Sequence, residues 1–298
     1  MPKRLLLGEE DMKRKCTEPA AILFMLPAGL IYVSVVVFPV FYSLYLSFFT
    51  GSGINSWTYC GMQNYVNMFH DSIFRTSLIN SVLWLFLSLV VTTAISLMLA
   101  VILNKRFAGR TFFRGLFYMP SVIALIAVAI IWRWIYHPTF GFINEMLKQL
   151  GAKSGQAWLS NPKAALFACF AASQWQAIGQ PMILFLAGLQ NVPEDVLEAA
   201  RIDGAGNVRR FFSITLPLLR DTLVVVISTL MIGSLKVFDI IVGLTNGGPN
   251  NSSQVLASYM YSQTFAYNHW GYGSAIACFM VAIMLLITIP YIRFSSKN

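Results

Sequence analysis

Charge is what this chain has least of. Of its 298 residues only 11% are Asp, Glu, Lys or Arg, against about 25% in an ordinary soluble domain. The deficit runs the whole length and the mean hydropathy is +0.65. Lipid is therefore the solvent for much of its surface. Acid is scarcer than base, 12 residues against 21. The basic residues form no stripe with interleaved aromatics, which argues against a nucleic-acid surface. The four cysteines lack metal-ligand spacing and give no disulfide framework. His70, His137 and His269 lie far apart in connections and suggest no metal. No G-x-x-x-x-G-K-[ST] run exists to cradle ATP phosphates. Gly204-Ala205-Gly206 follows no strand and lacks the third glycine of a dinucleotide fingerprint. Neither H-E-x-x-H nor a nucleophile elbow occurs. The chain reads as a non-enzyme without a cofactor of its own, so any energy source must be a partner.

What is present is a series of apolar runs: 20–49, 77–103, 115–136, 164–190, 222–243 and 271–292. Each is long enough to cross a bilayer as a helix, and period-2 alternation, the sign of a barrel, is absent. The first run is too long for a signal-peptide core and no small-residue cleavage site closes it, so it reads as an uncleaved span. At 1.5 Å per residue it would be about 45 Å long against a core of about 30 Å, so it tilts, projects, or kinks at Pro27 or Pro39. The expected fold is all-α and polytopic with six transmembrane helices. Residues 1–19 form a basic tail and 20–298 a single transmembrane domain.

Lys and Arg set the orientation. Fifteen lie in the N-tail, the 104–114 and 191–221 connections and the C-tail, against four in the alternate connections. That bias puts both termini and the 191–221 loop in the cytoplasm. On the other side, 137–163 holds a short amphipathic helix around Phe142–Leu150. The 244–270 connection opens with turn chemistry, Asn246-Gly247-Gly248-Pro249. It continues through Tyr259, Tyr261, Phe265, Tyr267 and Trp270, which read mostly as interface anchors.

The 191–221 loop is more elaborate than a connection requires. Pro193, Glu194 and Asp195 start a helix that runs to about Asp203. Gly204 and Gly206 end it, Asn207 caps a second helix to about Thr215, and Pro217 marks the passage into the fifth span. Small Ala199, Ala200, Gly204 and Ala205 would let another protein approach, and Glu198, Arg201, Asp203, Arg209 and Arg210 would set register. The bland alternative is a loop capped for stability alone.

Polar residues inside spans are costly and therefore informative. Ser173, Gln176 and Gln180 share one face of the fourth span, with Gln174 beside them. Ser234, Lys236 and Asp239 interrupt the fifth. Such groups either line a pathway for a polyhydroxyl solute or hydrogen-bond neighbouring helices. Trp175 could stack on a sugar ring. Lys236 and Asp239, three apart, either face solute or neutralise each other. Arg133 reads as snorkelling to the outer interface.

Glu198-Ala199-Ala200, three residues, Gly204, nine residues, then Ile214-Thr215-Leu216-Pro217 resembles the EAA motif of ABC-importer permease subunits. Leu244–Pro249, Tyr259 with Tyr261, Gly271-Tyr272-Gly273, Tyr136-His137-Pro138 with Gly141 and Asn144, and Ala187–Gln190 are similar to the carbohydrate-uptake branch. Asp221 departs from the proline many relatives carry, at a place past the docking surface. The maltose-type permease has extra N-terminal spans and an external domain that this chain does not show.

The resemblance implies an importer-type permease fold in a prokaryotic inner membrane. A second, non-identical permease would pair with it, two ATPase subunits holding ATP and Mg would dock below, and an external binding protein would deliver a sugar. Glu198, Ala199, Ala200, Asp203, Gly204, Ile214, Leu216 and Pro217 would form the ATPase-coupling element. Ser173, Gln176, Gln180, Ser234 and Asp239 would fall at sugar-contacting positions. Monosaccharide, oligosaccharide and glycerol phosphate stay open as solutes, although a Lys236–Asp239 pair would disfavour phosphate. The rivals are an ion-driven secondary transporter, expected to carry inverted repeats and an unpaired intramembrane acid, and a membrane scaffold.

Overall fold

A computed structural model describes residues 19–51, 57–151 and 155–295, with side chains from residue 24 onward. The basic N-tail thus lies almost wholly outside the described residues. Helix α1 comprises Pro19–Tyr32 and Phe38–Leu46. The two parts join through a π-turn at Val33–Val37, which accommodates the N–H missing at Pro39 without a break. A two-residue hairpin follows, Phe49 pairing with Tyr59. Next come α2 (Gln63–His70) and α3, a continuous helix from Ser72 to Asn104 with a π-turn at Ser88–Thr92.

The third expected span is two helices, α4 (Arg110–Val122) and α5 (Leu125–Ile135), bent by 103°. The expected amphipathic helix is α6 (Phe142–Gln149). The fourth expected span is also divided, into α7 (Ala165–Ala177) and α8 (Gly179–Gln190). Pro181 is the physical reason: it has no N–H for the Ala177 carbonyl, so the helix is interrupted at Ile178. The loop carries α9 (Glu194–Ile202). Then α10 (Asn207–Leu218) meets α11 (Arg220–Leu235) at 72°. The fifth expected span therefore ends early, at Leu235, and resumes as α12 (Asp239–Leu244). The 244–270 connection, expected as loop, holds α13 (Leu256–Tyr261) and a π-turn to Ala266. α14 (Trp270–Ser295) closes the fold.

By length and hydropathy three described helices qualify as membrane spans, or five if each bent pair counts once. The α7–α8 stretch is not among them, because its glutamines dilute its apolar content.

Two apolar clusters meet along α3. One joins Trp84 to Val128, Phe170, Ile240 and Ile241, from α3, α5, α7 and α12. The other joins Leu103 to Met182, Phe185, Leu219 and Val226, from α3, α8, the α10–α11 bend and α11. Close approach needs small residues: a Cβ on Gly179 would collide with Ser121 of α4, and one on Gly243 would be 3.1 Å from Ile126 as well as colliding with Ala129. Arg133, expected at the interface, is exposed. Its guanidinium donates to the Gly243 carbonyl at the end of α12, where a cation also complements the helix dipole.

Segments between the long helices are tied down by buried polar residues. Asn144 donates to the carbonyls of His137, Pro138 and Gln156 and accepts from the Gln156 N–H and Trp158 Nε1, all within 3.0–3.2 Å. Asn80 of α3 donates to the Ser252 and Gln254 carbonyls at 2.9 and 2.8 Å. Tyr259, expected as an interface anchor, is instead buried and donates to Asp71 Oδ2.

Tyr272 donates to the same Asp71 oxygen at 2.7 Å, and Asp71 Oδ1 caps α3 by accepting the Ile73 N–H at 2.8 Å. Burial alone would raise the Asp71 pKa. The hydrogen bonds outweigh it and hold the carboxyl below its ordinary range. The stabilisation is therefore present above the ordinary carboxylate pKa and is lost as pH falls through the lowered folded value. Asp71→Asn should lower stability at neutral pH by about 1–2 kcal/mol, and the gap to wild type should narrow in acid. Thermal unfolding of the detergent-solubilised chain across pH reads both effects; equal stability at neutral pH would refute the clamp.

Candidate functional site

Four interruptions of helical structure converge on one cavity of about 220 Å³. α3 contributes Ser88 and Thr92 from its π-turn, and α5 contributes Leu125 just past the 103° bend. α7 and α8 contribute Ser173, Gln174, Gln176 and Gln180 around Ile178. α11 and the gap after it contribute Thr229, Ser234 and Val237. No ionisable side chain is among the lining residues. The wall is amides and hydroxyls on an apolar frame, with Trp84 at one side.

Side chains donate to backbone carbonyls beside the helix breaks. Ser96 donates to the Ile178 carbonyl at 3.0 Å, and Ser121 to the Gln176 carbonyl at 3.0 Å. Gln176 Nε2 donates to Ile123, at the α4–α5 bend, at 3.3 Å. Thr92 donates to Gln174 Oε1 at 2.6 Å, joining α3 to α7. Ser173 and Ser234 donate to Phe170 and Leu230 carbonyls of their own helices at 2.7 and 2.6 Å. Gln180, exposed, has no hydrogen-bond partner among the described residues.

Four residues expected in the pathway, Ser173, Gln176, Gln180 and Ser234, thus line one cavity. Trp175, Lys236 and Asp239 do not line it and are exposed. Lys236 and Asp239 also do not pair: α11 ends before Lys236 and α12 starts at Asp239, so no helical turn brings them together. Among the described residues the only ion pair is Lys148–Glu145. With it falls the argument that Asp239 offsets Lys236 against a charged solute. Ser88, Thr92 and Thr229 were missed. Ser88 and Thr92, four apart in an apolar run, carried the signal.

The 191–221 loop has a defined end to its first helix. Gly204 adopts φ +76°, the Ala205 N–H reaches the Ala200 carbonyl at 3.0 Å, and the Gly204 N–H reaches Arg201 at 3.2 Å. These are the two bonds of a Schellman motif. Nothing lies within 4 Å of where a Gly204 Cβ would be. The glycine is needed for its backbone angle, and the space above it is open. Glu198, Ala199, Asp203 and Pro217 are exposed, Ile214 and Leu216 half-buried. Ala200 faces inward and is buried, so it packs against the chain rather than offering a small face to a partner. Gly206, not Asn207, caps α10; the Asn207 side chain instead accepts from Arg210 at 2.8 Å. Asp221 stands in the first turn of α11, beyond the bend.

The model for the family described as "Binding-protein-dependent transport system inner membrane component" matches residues 92–296. A probable ABC transporter permease of Pyrococcus horikoshii is 35% identical over 96% of this chain and 99% of its own length. The sulfoquinovosyl glycerol transport system permease of Agrobacterium fabrum is 35% identical over 92% and 89%. In fold, the chain is similar to a chain of a bacterial ABC transporter involved in import of the acidic polysaccharide alginate, with TM-score 0.83, 22% identity and coverage of 97% and 98%. The chain therefore belongs to the family of binding-protein-dependent transport system inner membrane components, the permease subunits of ABC transporters.

Proposed function

We propose that this chain forms half of the translocation pathway of an ABC importer for a neutral sugar or oligosaccharide. The observation that carries the reading is the uncharged cavity of amides and hydroxyls at the convergence of four helix interruptions. A polyhydroxyl solute offers donors and acceptors and no fixed charge, and Gln180 has an amide without a partner to meet it. One relative, in Bacillus subtilis, is named for the transport of arabinooligosaccharides, and another, in Streptococcus mutans, for a multiple sugar-binding transport system. A phosphorylated polyol would bring charge into a cavity without a lining cation. A gradient-driven carrier would want an acid there, and the lining has none.

In this reading the chain crosses the inner membrane six times with both termini cytoplasmic, as the Lys and Arg bias suggests. A second permease completes the cavity, and an external binding protein delivers the solute. Two ATPase subunits bind the ATP and Mg, and one grips the α9 knuckle. α8 leads into the knuckle, α11 follows the α10–α11 bend, and both reach the cavity, α8 bearing Gln180 and α11 bearing Ser234. Closure of the ATPases would move the knuckle and, through these helices, turn the cavity outward.

Uptake in proteoliposomes containing all subunits should require ATP and the binding protein. Gly204→Val should abolish uptake and solute-stimulated ATP hydrolysis while the chain still assembles in the membrane. Normal coupling in that variant would count against the docking role. Gln180→Leu should raise the apparent KM for uptake roughly three- to tenfold, the worth of one neutral hydrogen bond. Unchanged kinetics would remove Gln180 from the pathway.

A further inference from the structure

A second cavity, of about 510 Å³, lies between the end of α3 and the base of the 191–221 loop. Its size is that of a ligand site, roughly 300–1,000 Å³. Asn104 and Lys105 supply one edge, Asn207 and Arg210 the other, and no acid is among the lining residues. The floor is apolar, with Leu189 and Phe211. Lys105 is exposed and pairs with no acid, and its neighbour Arg114 is already engaged with the Leu103 carbonyl at 2.8 Å. Exposed Ile102 and Phe212 adjoin the lining residues Val101 and Phe211 in sequence.

We infer that this cavity seats the phosphate of an anionic phospholipid from the leaflet on the loop's side. Two cations and two amides suit a phosphodiester and its glycerol, and the apolar floor suits the start of an acyl chain. The site lies where a long apolar helix ends, which is headgroup level. A soluble phosphate compound would use the rim but gain nothing from the floor. The ATPase subunit, the other candidate occupant, has the exposed residues Glu198, Asp203 and Gly204 of the knuckle to hold, none of which lines the cavity. Because Asn207 and Arg210 belong to α10, a lipid seated here braces the loop against α3, making loop movement depend on lipid charge. This last consequence rests on the coupling role proposed above; the lipid site itself does not.

The test is native mass spectrometry of the intact permease pair with its ATPases, titrated with phosphatidylglycerol, phosphatidylcholine or sn-glycerol 3-phosphate. Phosphatidylglycerol should be retained, the other two not. Lys105→Gln should weaken retention roughly fivefold and Lys105→Gln with Arg210→Gln roughly 25-fold, each cation near the surface being worth about one factor of five. Arg209→Gln, an exposed cation of the same loop that does not line the cavity, should leave retention unchanged. Equal loss in Arg209→Gln would mean diffuse surface charge and overturn the site. So would equal retention of phosphatidylcholine, capture of glycerol phosphate alone, or retention by the permease pair that vanishes once the ATPases bind. If phosphatidylglycerol binds as expected but solute-stimulated ATP hydrolysis ignores it and Gly204→Val couples normally, the lipid site stands and the coupling reading fails.

Discussion

Every backbone N–H and C=O in an apolar medium must find a partner within the protein. That constraint governs this fold. An unbroken helix meets it internally, but α3, α4–α5, α7–α8 and α11–α12 are all irregular or interrupted near one cavity. Irregular backbone at such places is tolerated only where it is buried in protein or lines a cavity. Ser121 and Gln176 donate to the Gln176 and Ile123 carbonyls at two of these places, and Ser96 adds a second donor to the Ile178 carbonyl, which also accepts the Met182 N–H. The polar side chains thus serve twice, holding the breaks and giving the cavity its lining. Gln176 illustrates the first use, its amide donated to the Ile123 carbonyl at the α4–α5 bend; Gln180 illustrates the second, with its amide unengaged.

The same helices connect the cavity to the loop. α11 rises from the 72° bend beside Leu219 to Ser234, and its 16 residues span roughly 24 Å at 1.5 Å each. α8 runs from Gln180 toward α9. Neither contains an interruption. In the importer cycle proposed here, stiffness between loop and cavity matters as much as irregularity at the cavity itself, because only a rigid rod can carry displacement from one to the other. The Schellman end of α9 serves the same purpose at the knuckle, fixing the chain direction at Gly204.

Much of the local structure was legible in the sequence. The helix start at Glu194, the turn at Gly204 and the amphipathic helix from Phe142 follow from dipole, backbone and periodicity rules that act within a few residues. The face shared by Ser173, Gln176 and Gln180 was also legible, and the cavity gathers all three. The divided fourth span was readable from Pro181 but was masked by the apolar run around it. The partner of Arg133 was not legible, because the Gly243 carbonyl lies 110 residues away in sequence. Tyr259 was misread for the same reason, its acceptor Asp71 being 188 residues distant.

The sequence by itself determined the lipid-solvated, helical character of the chain, its family through the Glu198–Pro217 pattern, and the faces on which its polar residues fall. These depend on composition and on the period of 3.6 residues, both of which are local. Only the tertiary structure decided which polar residues meet a neighbour and which meet empty space. It set Gln174 against Thr92, left Gln180 open, and separated Lys236 from Asp239. The physical reason is that an amide or hydroxyl in a span is served equally well by a distant carbonyl or by a solute, and only long-range packing settles which of them lies within reach.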